Sequence, residues 1–180
     1  MRQFARAFAA LTVCVLCAGA INVSAATKGS ENQEKLDMLG HQIRTFQQTT
    51  WHFQRLMGVS LSPTTGDSLR HLGVIGARTA LVRWHRLAAT TRRRAEHPPH
   101  LAALLCIHRY EGSWTDSGGP FWGGLQMDYG FQAVYGGWLL RTKGTADHWT
   151  PLEQIWTAEK AVRSRGFYPW PNTARSCGLI

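Results

Sequence analysis

Through the middle of the chain, Leu36, Leu39, Ile43, Phe46, Thr50, Phe53 and Met57 recur at alternating three- and four-residue steps, the a/d rhythm of a packed helix. The run predicts one long amphipathic helix. SPTTGD, Ser62 to Asp67, reads as a turn, and helical spacing resumes from Leu69 to about Arg94. Two helices so closely joined predict a helical hairpin, with a dimeric coiled coil as the alternative use of the same stripe. Beyond Pro98 and Pro99, helical spacing returns at Leu101, Leu104, Leu105 and His108. Glu111 is the next step on that face, directly before Gly112, a residue suited to ending a helix. A last helix is framed by Thr150 as cap, Pro151 at its first position and Glu153 to complete a capping box. Leu152, Ile155, Trp156, Glu159 and Val162 form its stripe, and Gly166 stops it. Glu159 on that stripe reads as a buried partner for an arginine.

The amino terminus follows a different pattern. Arg2 and Arg6 precede an apolar run from Ala7 to Ala20 that leads to Val23, Ser24 and Ala25, after which TKGSENQEK is polar. This predicts a secretory signal peptide over residues 1–26, cleaved after Ala25 or Ala26, and hence an exported protein. An uncleaved N-terminal anchor is the alternative. Val13 before Cys14 and Leu16 before Cys17 are not the small residues a lipoprotein signal needs.

Cleavage would remove Cys14 and Cys17 and leave Cys106 and Cys177 of the four cysteines. One disulfide is the expectation for an exported chain, and two separate buried thiols are the alternative. The eight histidines show no zinc-ligand spacing with these cysteines, so no metal site is expected.

Charge divides the chain unevenly. The formal net charge is +9, and residues 27–100 carry eleven Lys and Arg against five Asp and Glu, whereas residues 101–180 carry seven against six. The excess culminates in Arg92, Arg93 and Arg94, close to Arg83 and Arg86. Such a run is ordinarily a solvated face. In an exported protein it also fits anionic wall polymers or a membrane surface, while nucleic acid is not expected, since export and the lack of a reader motif argue against it.

Taken alone, Glu111 reads as a solvated charge at a helix end. The next stretch changes that reading: GGPFWGGLQMDYGFQAVYGG, Gly118 to Gly137, sets aromatics in a glycine-rich turn and is expected to lead into a helix carrying Gln126 and Asp128. Aromatic faces stack on pyranose rings, amides bond acetamido and hydroxyl groups, and glycines let a ligand approach the backbone. The bland alternative makes Phe121 and Trp122 core residues.

FWGGLQMDYGFQAVYGG, preceded by a helix ending in Glu111 and followed by EQIWTAEKAVRSRGFYPWP and a terminal cysteine, resembles the transglycosylase-like domain of resuscitation-promoting factors. The resemblance covers roughly residues 99–180. It implies a small lysozyme-like fold and cleavage of the β-1,4 bond between N-acetylmuramic acid and N-acetylglucosamine in peptidoglycan. By the same resemblance Glu111 matches the single catalytic glutamate, and Trp122, Gln126 and Asp128 match substrate-groove positions, with Trp114 matching a nearby aromatic at a shifted gap. The chain also departs from that family. Tyr110 stands before the glutamate where the first cysteine is usual, Gly112 replaces a common serine, and Gln132 replaces an aromatic. Cys106 lies four residues before Tyr110 on the same helix face, which keeps a bridge to Cys177 feasible.

The expected fold class is mainly α: an α+β lysozyme-like domain at 98–180, preceded by a helical hairpin or coiled-coil-like linker region at 27–97. Most glycosidases use two carboxylates. Asp116 and Asp128 are candidates for a second; without one, the acetamido group or C6 hydroxyl of the sugar would complete the reaction. The expected function is a secreted, wall-associated lytic transglycosylase or muramidase that needs no cofactor. A non-catalytic peptidoglycan-binding or signalling protein is the alternative.

Overall fold

A computed structural model describes residues 16–64 and 69–180. Most of the expected signal peptide, residues 1–15, and part of the expected turn, residues 65–68, lie outside the described residues. The protein is mainly helical. Helices α1 (Leu16–Met57), α2 (Leu69–Ala95) and α3 (Leu101–Glu111) precede a two-stranded antiparallel sheet, β1 (Phe121–Trp122) and β2 (Met127–Asp128). Helices α4 (Tyr129–Lys143), α5 (Pro151–Arg165) and α6 (Pro171–Ser176) follow, with one 3-10 turn at Ala146–His148. No helix among the described residues is long and apolar enough to cross a membrane.

The first two helices pack against each other, but not as an antiparallel hairpin. His85 meets the Phe46 ring at 5.0 Å and Arg92 lies 5.7 Å over Phe53, so positions advance together along both helices. Both carboxyl ends, Met57 and Ala95, enter the same core. The pair is therefore parallel. The link makes this feasible: Val59 N–H donates to Gln54 O at 3.0 Å, and Ser62 N–H donates to Gln54 Oε1 at 2.8 Å, so the chain turns back along α1 after Met57. Extended at ~3.3 Å per residue, the stretch between the helices can retrace roughly 24 residues of helix.

The seam differs in detail from the expected stripe. α1 buries Gly40, Ile43, Gln47, Thr50, Gln54 and Met57, while Leu36, Leu39, Phe46 and Phe53 flank it half-buried. α2 answers with Ala77, Ala80, Trp84, Ala88, Thr91 and Ala95. A partner face made mostly of alanine lets the backbones approach closely, which leaves room for amides in the seam and pushes the aromatics to its edges.

The carboxyl end of residues 27–97 is built into the second half of the chain. Leu56, Met57 and Ala95 share one core with Leu104, Ile107, Leu125, Trp149, Trp156 and Trp170. Arg163 Nη2 donates to Met57 O at 3.0 Å and Trp156 Nε1 to Ala95 O at 2.7 Å. At the centre lies α5, capped as expected: Glu153 N–H donates to Thr150 Oγ1 and Thr150 N–H donates to the Glu153 carboxylate. It is buried without a break from Glu153 to Glu159, more than the expected stripe, because Gln154, Thr157 and Ala158 also face neighbours. Glu159 is fully buried, and its partner is His100 rather than an arginine. The backbone N–H of His100 donates at 2.6 Å and its Nδ1 lies at 3.0 Å.

The junction carries an acid-sensitive pair. His52 packs edge-on against Trp138 at 5.5 Å; burial lowers its pKa, Lys143 and Arg55 lower it further, and the opposing pull of Glu153 is outweighed. For Glu153, burial alone would raise the carboxyl, but the Lys143 ammonium at 2.7 and 2.8 Å and the bonds from Thr150 hold it below the ordinary carboxylate range. A histidine with a depressed folded pKa opposes protonation in the fold, so its contribution is complete above the unfolded value of about 6.5 and is lost as pH falls. Glu153 behaves alike from about 4.3 downward. The melting temperature is therefore expected to fall between pH 7.5 and 5, and to fall less in His52→Gln; equal slopes would exclude His52 as a source.

Candidate active site

Glu111 is the last residue of α3, and Gly112 ends the helix with a φ of 131° and an N–H that donates to His108 O at 3.3 Å. The glutamate is half-buried, and its Oε1 accepts from Thr173 Oγ1 at 2.7 Å. Thr173 stands on α6. The Cys106–Cys177 disulfide joins α3 to the residue that directly follows α6, with Cα atoms 6.0 Å apart, the pairing expected from the sequence. The bridge spans 71 residues, a loop worth about 4 kcal/mol in the chain-entropy treatment. Reduction, or a Cys106→Ala/Cys177→Ala pair, is expected to lower the melting temperature by roughly 10 °C. An unchanged melt would show that α6 is held without the bridge.

A second carboxylate lies close to this helix end. Asp116 Oδ1 accepts from Gly118 N–H at 3.0 Å, and Asp116 Oδ2 accepts from Gln126 Nε2 at 2.9 Å. A Cβ added at Gly112 would stand 3.5 Å from that Oδ2 and 3.8 Å from that amide nitrogen, so the Asp116–Gln126 pair rests on the residue next to Glu111. Gln126 holds a left-handed φ of 46° in the turn between the strands, and its amide also donates to Gly123 O at 3.1 Å.

The loop around the pair is fixed from beneath by Gln154, a fully buried side chain at the start of α5. Its Oε1 accepts from Gly124 N–H at 2.8 Å, and its Nε2 donates to Trp114 O at 2.7 Å and Ala146 O at 2.8 Å, with Trp149 O at 3.2 Å. Gly124 is required by close approach: an added Cβ would lie 2.5 Å from His108 Nδ1 and 2.8 Å from Trp114 Cε3. His108, one turn before Glu111, stacks on Trp114 at 3.8 Å and holds Gly124 O at 2.9 Å.

The five residues expected in the site occupy different places. Glu111 and Gln126 are brought together through Gly112 and Asp116. Trp114 is half-buried, with one face covered by His108. Trp122 pairs with Met127 across the strands and packs against the core half-buried. Asp128 is exposed and caps α4, its Oδ1 accepting from Phe131 N–H at 2.7 Å. Gln126 and Asp128 therefore precede the helix that was expected to carry them. Both line a cleft of about 220 Å³ with Phe121, Phe131 and Tyr135, floored by Trp170, whose Nε1 donates to Leu125 O at 2.7 Å. Glu111, Trp114 and Trp122 do not line this cleft.

Comparison of the chain with protein-family models, with characterised proteins and with solved structures found no match. The geometry of the site therefore carries the functional reading. Sequence reasoning did not single out Thr173 or His108 as neighbours of the site, or Gln154 as its support. Thr173 had one usable signal: it lies one turn before Cys177, so a bridge to Cys106 draws it toward the end of α3. Gln132 is fully buried, donates to Met127 O at 2.7 Å and accepts from Ala146 N–H at 2.9 Å.

Proposed function

We propose that the protein is an exported peptidoglycan-cleaving enzyme in which Glu111 protonates the glycosidic oxygen between N-acetylmuramic acid and N-acetylglucosamine. The observation that carries this reading is a half-buried glutamate at a helix end, held through one oxygen by Thr173, beside the Asp116–Gln126 pair and near an aromatic-lined cleft. With Oε1 accepting from Thr173, the other oxygen carries the proton to the leaving sugar. The acetylated sugar supplies the remaining chemistry when its C6 hydroxyl attacks the anomeric carbon, gives its proton to the Glu111 carboxylate left by the first transfer, and closes a 1,6-anhydro ring, as a lytic transglycosylase requires. If Asp116 activates a water instead, the product is a reducing sugar and the enzyme is a muramidase. The cleft fits one sugar ring against Phe121, with Gln126 and Asp128 on its polar side.

Mass spectrometry of soluble products from sacculi digested with the oxidised chain tests the reading, with folding checked by circular dichroism. Muropeptides are expected, and an anhydro end distinguishes the first route from the second. Folded protein that binds sacculi and releases nothing would replace the enzyme with a peptidoglycan-binding protein.

A further inference from the structure

The outer face of α2 has no role in the site, and its chemistry is unusual. The helix contains seven arginines and no aspartate or glutamate. Its inner stripe, Ala77, Ala80, Trp84, Ala88, Thr91 and Ala95, is buried against α1 and the core. On the opposite side, Ile75 is 83% exposed and Val82 50% exposed. These two fall on one line with Thr79, Arg86 and Arg93, flanked by Arg78, Arg83 and Ala89, all of them exposed. Among the described residues Arg78, Arg83, Arg86, Arg92, Arg93 and Arg94 make no ion pair. In sequence α2 is flanked by Asp67, which lies outside the described residues, and by Glu96 beyond the helix end; on α1, Glu31 is paired with Lys35.

A groove between the two helices opens beside Val82, with a volume of about 430 Å³ and a lining of Phe46, Leu81, Val82, His41 and His85. Exposed branched aliphatics interleaved with exposed guanidinium groups, above an apolar groove, match one kind of surface. Arginine forks take phosphate oxygens with two donors, and the aliphatic side chains need an apolar layer just beneath those phosphates. A wall polyanion supplies phosphate but no such layer.

We infer that the outer face of α2 is a docking surface for anionic phospholipid bilayers, with Arg78, Arg83 and Arg86 at the head groups and Ile75 and Val82 in the interfacial layer. The inference does not depend on catalysis by Glu111. It also gives the helical pair a role: α1 and α2 run side by side into the core of the site-bearing half, so a bilayer bound along α2 fixes the site relative to the membrane.

The test is co-sedimentation of the chain from Thr27 onward with vesicles of phosphatidylglycerol and cardiolipin or of phosphatidylcholine alone, at low and high salt. Anionic vesicles are expected to retain the protein and neutral ones to release it. Arg78→Gln/Arg83→Gln/Arg86→Gln is expected to weaken binding about tenfold or more and to flatten the salt dependence. Ile75→Ser/Val82→Ser is expected to weaken it by roughly tenfold while leaving the salt dependence in place. Melting curves and muropeptide release matching the unsubstituted chain would show that both variants fold. Anionic binding untouched by the Ile75/Val82 change would overturn the proposal in favour of a polyanion site. Failure to bind vesicles, or a change from dimer to monomer in the Ile75/Val82 variant with vesicle binding unaltered, would overturn it as well, the latter in favour of a second copy of the chain.

Discussion

Glutamine at position 111 is expected to lower muropeptide release by about a thousandfold while sacculus binding stays within twofold of the unsubstituted protein. A positioned general acid contributes roughly 10²–10⁴ in rate, and α3 carries no other carboxyl to take over the proton. The substitution removes the proton and little else. The amide oxygen of glutamine still accepts from Thr173 Oγ1, as Glu111 does at 2.7 Å, so the link between α3 and α6 survives. Gly112, Asp116 and Gln126 are untouched, and the cleft does not include position 111. Rate and binding should therefore separate. Equal release by both forms would remove Glu111 from the chemistry and turn attention to Asp116, the carboxylate held by Gln126. A parallel loss of binding and release would instead make Glu111 a ligand-contacting residue whose role is affinity.

Much of this architecture was readable from periodicity because the elements end on strong local signals. Gly112 closes α3 and Gly166 closes α5 with left-handed backbone, and Thr150 with Glu153 opens α5 through reciprocal capping bonds. The direction of α2 was not readable. Loop length alone favours an antiparallel neighbour, and only the bonds from Ser62 and Val59 back to Gln54 reveal that the chain retraces α1. The seam departs from the periodic stripe for a related reason. Periodicity ranks Phe46 and Phe53 above Gln47 and Gln54, yet an alanine-rich partner selects for close approach, and Gln54 spends its amide on Ser62 rather than on water. Glu111 was legible at a helix end. Its partner was not, because Thr173 lies 62 residues away and meets it only through the α3–α6 contact. Asp128 showed the converse: an acid before a helix serves its own backbone first, as the α4 cap.

The same logic makes Gln154 the most consequential residue that periodicity passes over. It is expected that Gln154→Leu, close in volume, destabilises the fold by about 4 kcal/mol, lowering the melting temperature by roughly 10 °C. Leucine can fill the space but cannot accept from Gly124 N–H or donate to Trp114 O, Ala146 O and Trp149 O. Each buried backbone group so orphaned costs about 1–3 kcal/mol, discounted where carbonyls find other donors. The loss should reach function before it reaches unfolding. Trp114 and Gly124 are positioned by this amide, His108 stacks on the first and bonds the second, and His108 lies one turn before Glu111 on α3. Muropeptide release well below the variant's melting temperature is thus expected to fall, while the Cys106–Cys177 bridge and the α1–α2 seam remain intact. Differential scanning calorimetry beside product release separates the two effects. A variant that melts early yet releases product normally would confine Gln154 to stability; one that melts normally would mean that the loop finds other hydrogen-bond partners and that this amide does not govern the site.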